Sequence, residues 1–147
     1  MAISHVHLFL LLILSLFLLP TLRAIDYSDC GDESSPVEVT SVEEVLKEKD
    51  MASFTVSGST SKNITGGDIY VDVKIGLIRY STSNYDLCAC MACPVAPGAF
   101  VLPLHNLFRS YPLVRFTVHL NIFDDSVNEI MCLTFDYKAK RSFAVSG

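Results

Sequence analysis

Three cysteines crowd into six positions, Cys88, Cys90 and Cys93, and two more stand far apart at Cys30 and Cys132. The spacing Cys90-Met91-Ala92-Cys93 is that of a dithiol redox centre. Such a centre needs a thiolate at a helix N-terminus beside a βαβ unit, and Pro94 in β-rich surroundings offers neither. Three thiolates could also ligate a metal, and Cys90 with His105 or His119 could make a nucleophile and base. No orienting carboxylate or Gly-rich elbow accompanies that pair, and Asp124-Asp125-Ser126 reads as turn chemistry. Neither an enzyme nor a metal or organic cofactor is expected. Asn63-Ile64-Thr65 is a glycosylation sequon in a turn closed by Gly66-Gly67, so Asn63 is a candidate glycan acceptor.

The compartment decides the fate of these thiols. Leu8 to Leu19 is an almost unbroken apolar run ended by Pro20, with Leu22-Arg23-Ala24 behind it. Twelve residues are too few to span a bilayer, which takes about 20. The pattern fits a cleaved signal peptide over residues 1–24, with an uncleaved anchor as the alternative, and a mature domain over 25–147. In the secretory pathway disulfides are the default, and five cysteines leave one thiol over. Extracellular space, vacuole and endoplasmic-reticulum lumen are all open as destinations. The full chain carries 11 Lys plus Arg against 16 Asp plus Glu, a net charge of −5, and loss of Arg23 takes it to −6. The basic residues are scattered, which excludes a nucleic-acid footprint and a polybasic membrane anchor.

The elements that must position these residues are strands. The apolar period from Ser35 to Lys138 is mostly two. Residues 36–42 alternate, and 42–51 reads either as a helical turn or as a strand end with a charged loop. Phe54 and Val56 share one face of a second strand over 52–60. Asp68 to Tyr80 reads as one long run, with Ile69, Val71, Val73 and Ile75 inward and a bulge or bend at Gly76. Phe100 to Pro112 is apolar but irregular, with Pro103 and Pro112 opposing regular structure. Val114, Phe116, Val118, Leu120 and Ile122 alternate with polar residues, as do Met131, Leu133, Phe135 and Tyr137. Six or seven such strands with turns between them predict an all-β two-sheet sandwich. A packed core and an open one both require these inward faces.

The stretch Asp86-Leu87-Cys88-Ala89-Cys90-Met91-Ala92-Cys93-Pro94-Val95 resembles the ML (lipid-recognition) domain family of plant type, relatives of the Niemann–Pick type C2 sterol carrier. Cys30 in Tyr27-Ser28-Asp29-Cys30, the segment from Phe54 to Thr60 and the ending Cys132 to Lys138 agree with it. The resemblance implies an immunoglobulin-like β-sandwich with an apolar cavity between its sheets. It implies disulfides Cys30–Cys132 and Cys88–Cys93, with Cys90 an extra cysteine. It also implies a lipid ligand, sterol or phospholipid, held or transferred, with transient contact to a membrane. The alternative is a lipid-presenting co-receptor in defence signalling, touching a membrane receptor. On this reading Phe54, Val56, Ile69, Val71, Val73, Val114, Phe116, Val118, Leu120, Ile122, Leu133 and Phe135 line the cavity. Phe100, Leu102, Leu104 and Phe108 form either a mobile rim or a loop tucked onto the sandwich edge.

Overall fold

The computed structural model describes residues 4–17, 22–45 and 50–139. Helix α1 (His5–Phe17) is followed by β1 (Leu22–Ile25), β2 (Tyr27–Asp29), β3 (Val37–Val45), β4 (Met51–Thr60), β5 (Gly67–Ile75) and β6 (Ile78–Asp86). A single helical turn, α2 (Leu87–Cys90), then leads to β7 (Gly98–Arg109), β8 (Arg115–Asp124) and β9 (Glu129–Lys138). One sheet has the order β1-β3-β4-β7 and the other β2-β9-β8-β5-β6, with every pairing antiparallel. Among the described residues no helix is long and apolar enough to cross a membrane.

Alternation is what makes these strands a sandwich. Successive side chains point to opposite faces, so β8 buries Phe116, Val118, Leu120 and Ile122 while Thr117, His119 and Asn121 lie on the other face. Beside them in the same sheet β5 buries Ile69, Val71 and Val73 and β9 buries Leu133 and Phe135, while β4 of the facing sheet buries Phe54 and Val56. All belong to one apolar cluster. Burying each such side chain is worth roughly 1.5–3 kcal/mol.

Three expectations are corrected. The run Asp68 to Tyr80 is a hairpin, with Gly76 at φ 62° beginning its two-residue turn; the left-handed backbone there suits glycine, and Leu77 follows it. Phe100 to Arg109 is not irregular but lies within the twelve-residue β7. Pro103 is tolerated because β7 is an edge strand. The irregularity narrows to a register shift opposite Ser53, where Asn106 takes φ 54° and its amide donates to the Ser53 hydroxyl at 2.8 Å. Val114 precedes β8 and is half-buried, because Leu113 at φ 68° breaks the alternation just before it. Between the two readings of 42–51, β3 continues to Val45, and residues 46–49 lie outside the described residues.

Candidate functional site

The sandwich has two ends. The Cys88–Cys93 segment and the β8–β9 turn sit at one, where Thr60 meets Gly98. The β5–β6 tip and the β7–β8 loop sit at the other, where Met51 meets Arg109. Aliphatic side chains fill the disulfide end and aromatic ones the tip end. There Phe54 packs on Phe135 and Tyr137 at centroid separations of 5.0 and 5.1 Å, and Phe108 on Phe116 at 5.1 Å. Tyr80 joins this cluster 5.3 Å from Phe116.

The residues expected to line a cavity are thus brought together, Val114 apart, but the two inward faces meet. The gap between them at the disulfide end is about 10 Å³, roughly what one water molecule needs. Its walls are wholly apolar, with Val37 and Leu102 from one sheet, Ile122 and Ile130 from the other, and Leu87 and Val95 over the top. The roof is held by paired backbone bonds between Ile64 and Val95 (3.0 and 2.8 Å) and by the Cys88–Cys93 disulfide. Leu102, Leu104 and Phe108 stand on the inward face of β7 and are buried, and Phe100 is half-buried. A regular edge strand turns alternate residues inward, and so these four do not make an exposed rim.

Tyrosine hydroxyls stitch the sheets along both seams. Tyr27 of β2 donates to the Val39 carbonyl at 2.9 Å, and Tyr80 of β6 to the Arg109 carbonyl at 2.8 Å. Tyr137 of β9 donates to the Glu44 carboxylate of β3 at 2.8 Å. Burial and then this carboxylate hold the Tyr137 hydroxyl far above the ordinary phenol value. Arg23 lies 3.8 Å from the same carboxylate. Outside this pair an open polar groove of about 610 Å³ runs along the β1–β9 seam, past Arg115, Asp136 and Lys138. It is larger than the apolar gap but belongs to the surface, not to the space between the sheets.

Cys30–Cys132 and Cys88–Cys93 are disulfides, with Cα separations of 4.9 and 5.3 Å. Cys90 is the free thiol and is half-buried. His119 lies beside the first bridge, its Nε2 3.6 Å from Cys132 Sγ and its Nδ1 3.1 Å from the Thr134 hydroxyl. Cys30, His119 and Cys132 are close enough to share an ion, but both sulfurs are committed to the disulfide. His105 is exposed, distant in strand position from Cys90, and so no nucleophile–base pair with it is built. Asn63 is exposed, and the Thr65 hydroxyl of its sequon donates to Asp125 at 2.9 Å.

Sequence reasoning missed one feature. Leu77 and Ile78 at the β5–β6 tip, with Tyr111 and Leu113 in the β7–β8 loop, are exposed. The signal was present in Gly76-Leu77-Ile78, where apolar residues follow a turn glycine, but it was absorbed into a single long strand.

Two antiparallel sheets closed over a largely apolar interior, with one disulfide holding the β2–β9 edge and the other the loop after β6, define a small two-sheet β-sandwich. The chain belongs to the ML domain family, whose model matches residues 24–139. It is 36% identical to the MD-2-related lipid-recognition protein ROSY1 of Arabidopsis thaliana, over 94% of this chain and 92% of that one. It is 28% identical to a Dictyostelium discoideum protein named for phosphatidylglycerol/phosphatidylinositol transfer, over 75% of this chain and 83% of that one. Among solved structures, chicken MD-1 complexed with lipid IVa superposes with a TM-score of 0.53 at 12% identity, over 82% of this chain and 98% of that one.

Proposed function

We propose that this protein binds a lipid between its two sheets and carries it between membranes in the secretory pathway or outside the cell. The observation that carries this reading is the interior itself, an apolar slab in a chain of the ML family, with polar ties at the seams. Each methylene of an acyl chain or sterol moved there from water gains about 0.8 kcal/mol, so about ten of them offset a large part of the cost of association and of parting the sheets. The names of the Arabidopsis and Dictyostelium relatives support a lipid, and the latter a phospholipid over a sterol. No catalytic group is assigned. Residues 1–24 act as the signal peptide and 25–147 as the carrier domain, with Asn63 as a glycan acceptor. Processing after Ala24 removes three of the four residues of β1, and with them the Arg23 guanidinium beside Glu44.

The test is Val118→Phe. Val118 is fully enclosed, opposite Val73 and Phe135 in the register. Added bulk there costs about 1–3 kcal/mol of stability and occupies space an acyl chain needs. Titration with a fluorescent phospholipid, with sterol as competitor, is expected to show binding by the native protein and a loss of about tenfold or more in the variant. Thr117→Val on the outer face is expected to change binding little. Equal binding by Val118→Phe and native protein overturns the inter-sheet site.

A further inference from the structure

We infer that the Cys30–Cys132 disulfide is a thiol-exchange site, opened by an external dithiol, and that it latches one seam of the sandwich. Its two sulfurs differ in access. Cys30 is exposed, while Cys132 is only 4% exposed. A thiolate attacks a disulfide at an accessible sulfur and expels the other. The attack therefore falls on Cys30 Sγ, and Cys132 Sγ leaves. Burial disfavours the charged form of a thiol, so a buried thiolate without a partner leaves poorly. Cys132 has a partner: His119 Nε2 lies 3.6 Å from its sulfur. A disulfide sulfur carries no hydrogen, so in that contact the imidazole donates. The Thr134 hydroxyl sets the ring for this. It lies 3.1 Å from Nδ1, and donating there leaves the proton on Nε2. The same hydroxyl is 3.5 Å from Cys30 Sγ. Charges on the adjoining strands are engaged elsewhere. Asp72, opposite His119 in the register, pairs with Arg79 at 3.1 Å, and Asp29 accepts from the Gly31 amide at 2.7 Å. The Cys88–Cys93 bridge differs: among the described residues its polar contact is the Thr65 carbonyl, 3.7 Å from Cys88 Sγ, an acceptor that gives a leaving thiolate nothing.

The exchange balances in two steps. The first thiolate of the dithiol bonds to Cys30 Sγ as the Cys30–Cys132 bond breaks, and the electron pair leaves on Cys132 Sγ, held by the His119 N–H. The second thiolate then attacks the reductant sulfur of the mixed disulfide and expels Cys30 Sγ. The dithiol is oxidised to a disulfide, the protein cystine is reduced to two cysteines, and the two protons lost by the dithiol return to them through solvent. The bond that opens holds a strap. The chain leaves β1 in one sheet and enters β2 in the other across Asp26. β2 has three residues and pairs with β9 alone, yet its Tyr27 hydroxyl reaches the Val39 carbonyl of the facing sheet at 2.9 Å. It thus crosses the seam that the Tyr137–Glu44 bond also closes. So short a strand has little cohesion of its own, so reduction frees it and eases the parting of the sheets. The latch rests on the lipid-carrier reading; the exchange site does not.

Timed reduction of the folded protein with dithiothreitol, alkylation and peptide mapping test the site. Cys30–Cys132 is expected to open at a rate unchanged by urea below the unfolding transition, and glutathione to form its mixed disulfide on Cys30. His119→Phe is expected to slow opening about tenfold with an unchanged melting temperature, and His119→Gln, which returns an N–H near the Nε2 position, to recover much of the rate. Equal rates in native protein and His119→Phe, opening that follows global unfolding, or a glutathione adduct on Cys132 overturns the exchange site. Transfer of a fluorescent phospholipid from loaded protein to acceptor vesicles tests the latch. It is expected to run several-fold faster after reduction, in protein that still melts cooperatively. Unchanged transfer, or release only through unfolding, overturns the latch. Failure of both oxidised and reduced protein to bind the lipid refutes the carrier reading and the latch with it, while the thiol rates alone decide the exchange site.

Discussion

Cys90 shows how far a residue type falls short of a chemistry. Its thiol stands one turn from a disulfide, but burial raises its pKa from the ordinary 9.0, and the Asp86 carboxylate raises it further. The thiolate is the nucleophile, so at neutral pH Cys90 is a poor one. Iodoacetamide labelling is expected to be slower than for a small-molecule thiol at neutral pH and to accelerate only in the alkaline range. Asp86→Asn retains a capping side chain for Cys88 N–H, which Asp86 now binds at 3.0 Å, and is expected to speed labelling in part, since burial is the larger cause. Labelling at the rate of the unfolded chain would refute this. At this scale the sequence was legible for the cysteine inventory, because residue types and an odd count are visible without coordinates. Which thiols pair was legible only through family resemblance.

The elements were legible wherever alternation was clean. β4, β8 and β9 fall close to where period-two patterning put them, because one buried face forces every second residue to be apolar. β7 was not, since Pro103 reads as a breaker until its place at a sheet edge is known. The β5–β6 hairpin was not, because Leu77 and Ile78 continue an apolar run straight through the turn. The β8–β9 turn carries a strain of its own. Asp124 accepts from the Ser126 and Asn128 amides, both at 2.9 Å, and between these anchors Val127 is held at φ 62°. A left-handed β-branched residue costs about 1–2 kcal/mol, and glycine removes that while adding entropy to the unfolded chain. Val127→Gly is therefore expected to raise stability by about 0.5–1 kcal/mol in thermal unfolding. A lower melting temperature would show that Val127 contributes contacts despite its exposure.

Across the whole molecule the question is what keeps two apolar faces together while allowing them to part. The Glu44–Tyr137 bond is the buried side-chain link between the sheets, and Glu44 is only 5% exposed. Tyr137→Phe strands that carboxylate, at a cost of about 1–3 kcal/mol in urea unfolding. In the processed chain, without Arg23, the loss is expected toward the upper end. Glu44→Leu combined with Tyr137→Phe is expected to recover much of the stability, because removing both polar partners leaves nothing unsatisfied. A double variant as unstable as Tyr137→Phe would show that the hydroxyl acts through another contact.

The sequence by itself determined that this chain is a β-sandwich with apolar inward faces and surplus cysteine, since period-two alternation and residue counts are local properties. The family resemblance extended that to the disulfide pairs. Tertiary structure alone decided that the faces meet with a gap of about 10 Å³, that Phe100 to Phe108 is a strand whose alternate residues enter the core, and that Leu77, Ile78, Tyr111 and Leu113 share one exposed end. The reason is physical: an apolar residue reads the same whether it faces a partner sheet, a ligand or solvent, and only the position of its neighbours in space distinguishes the three.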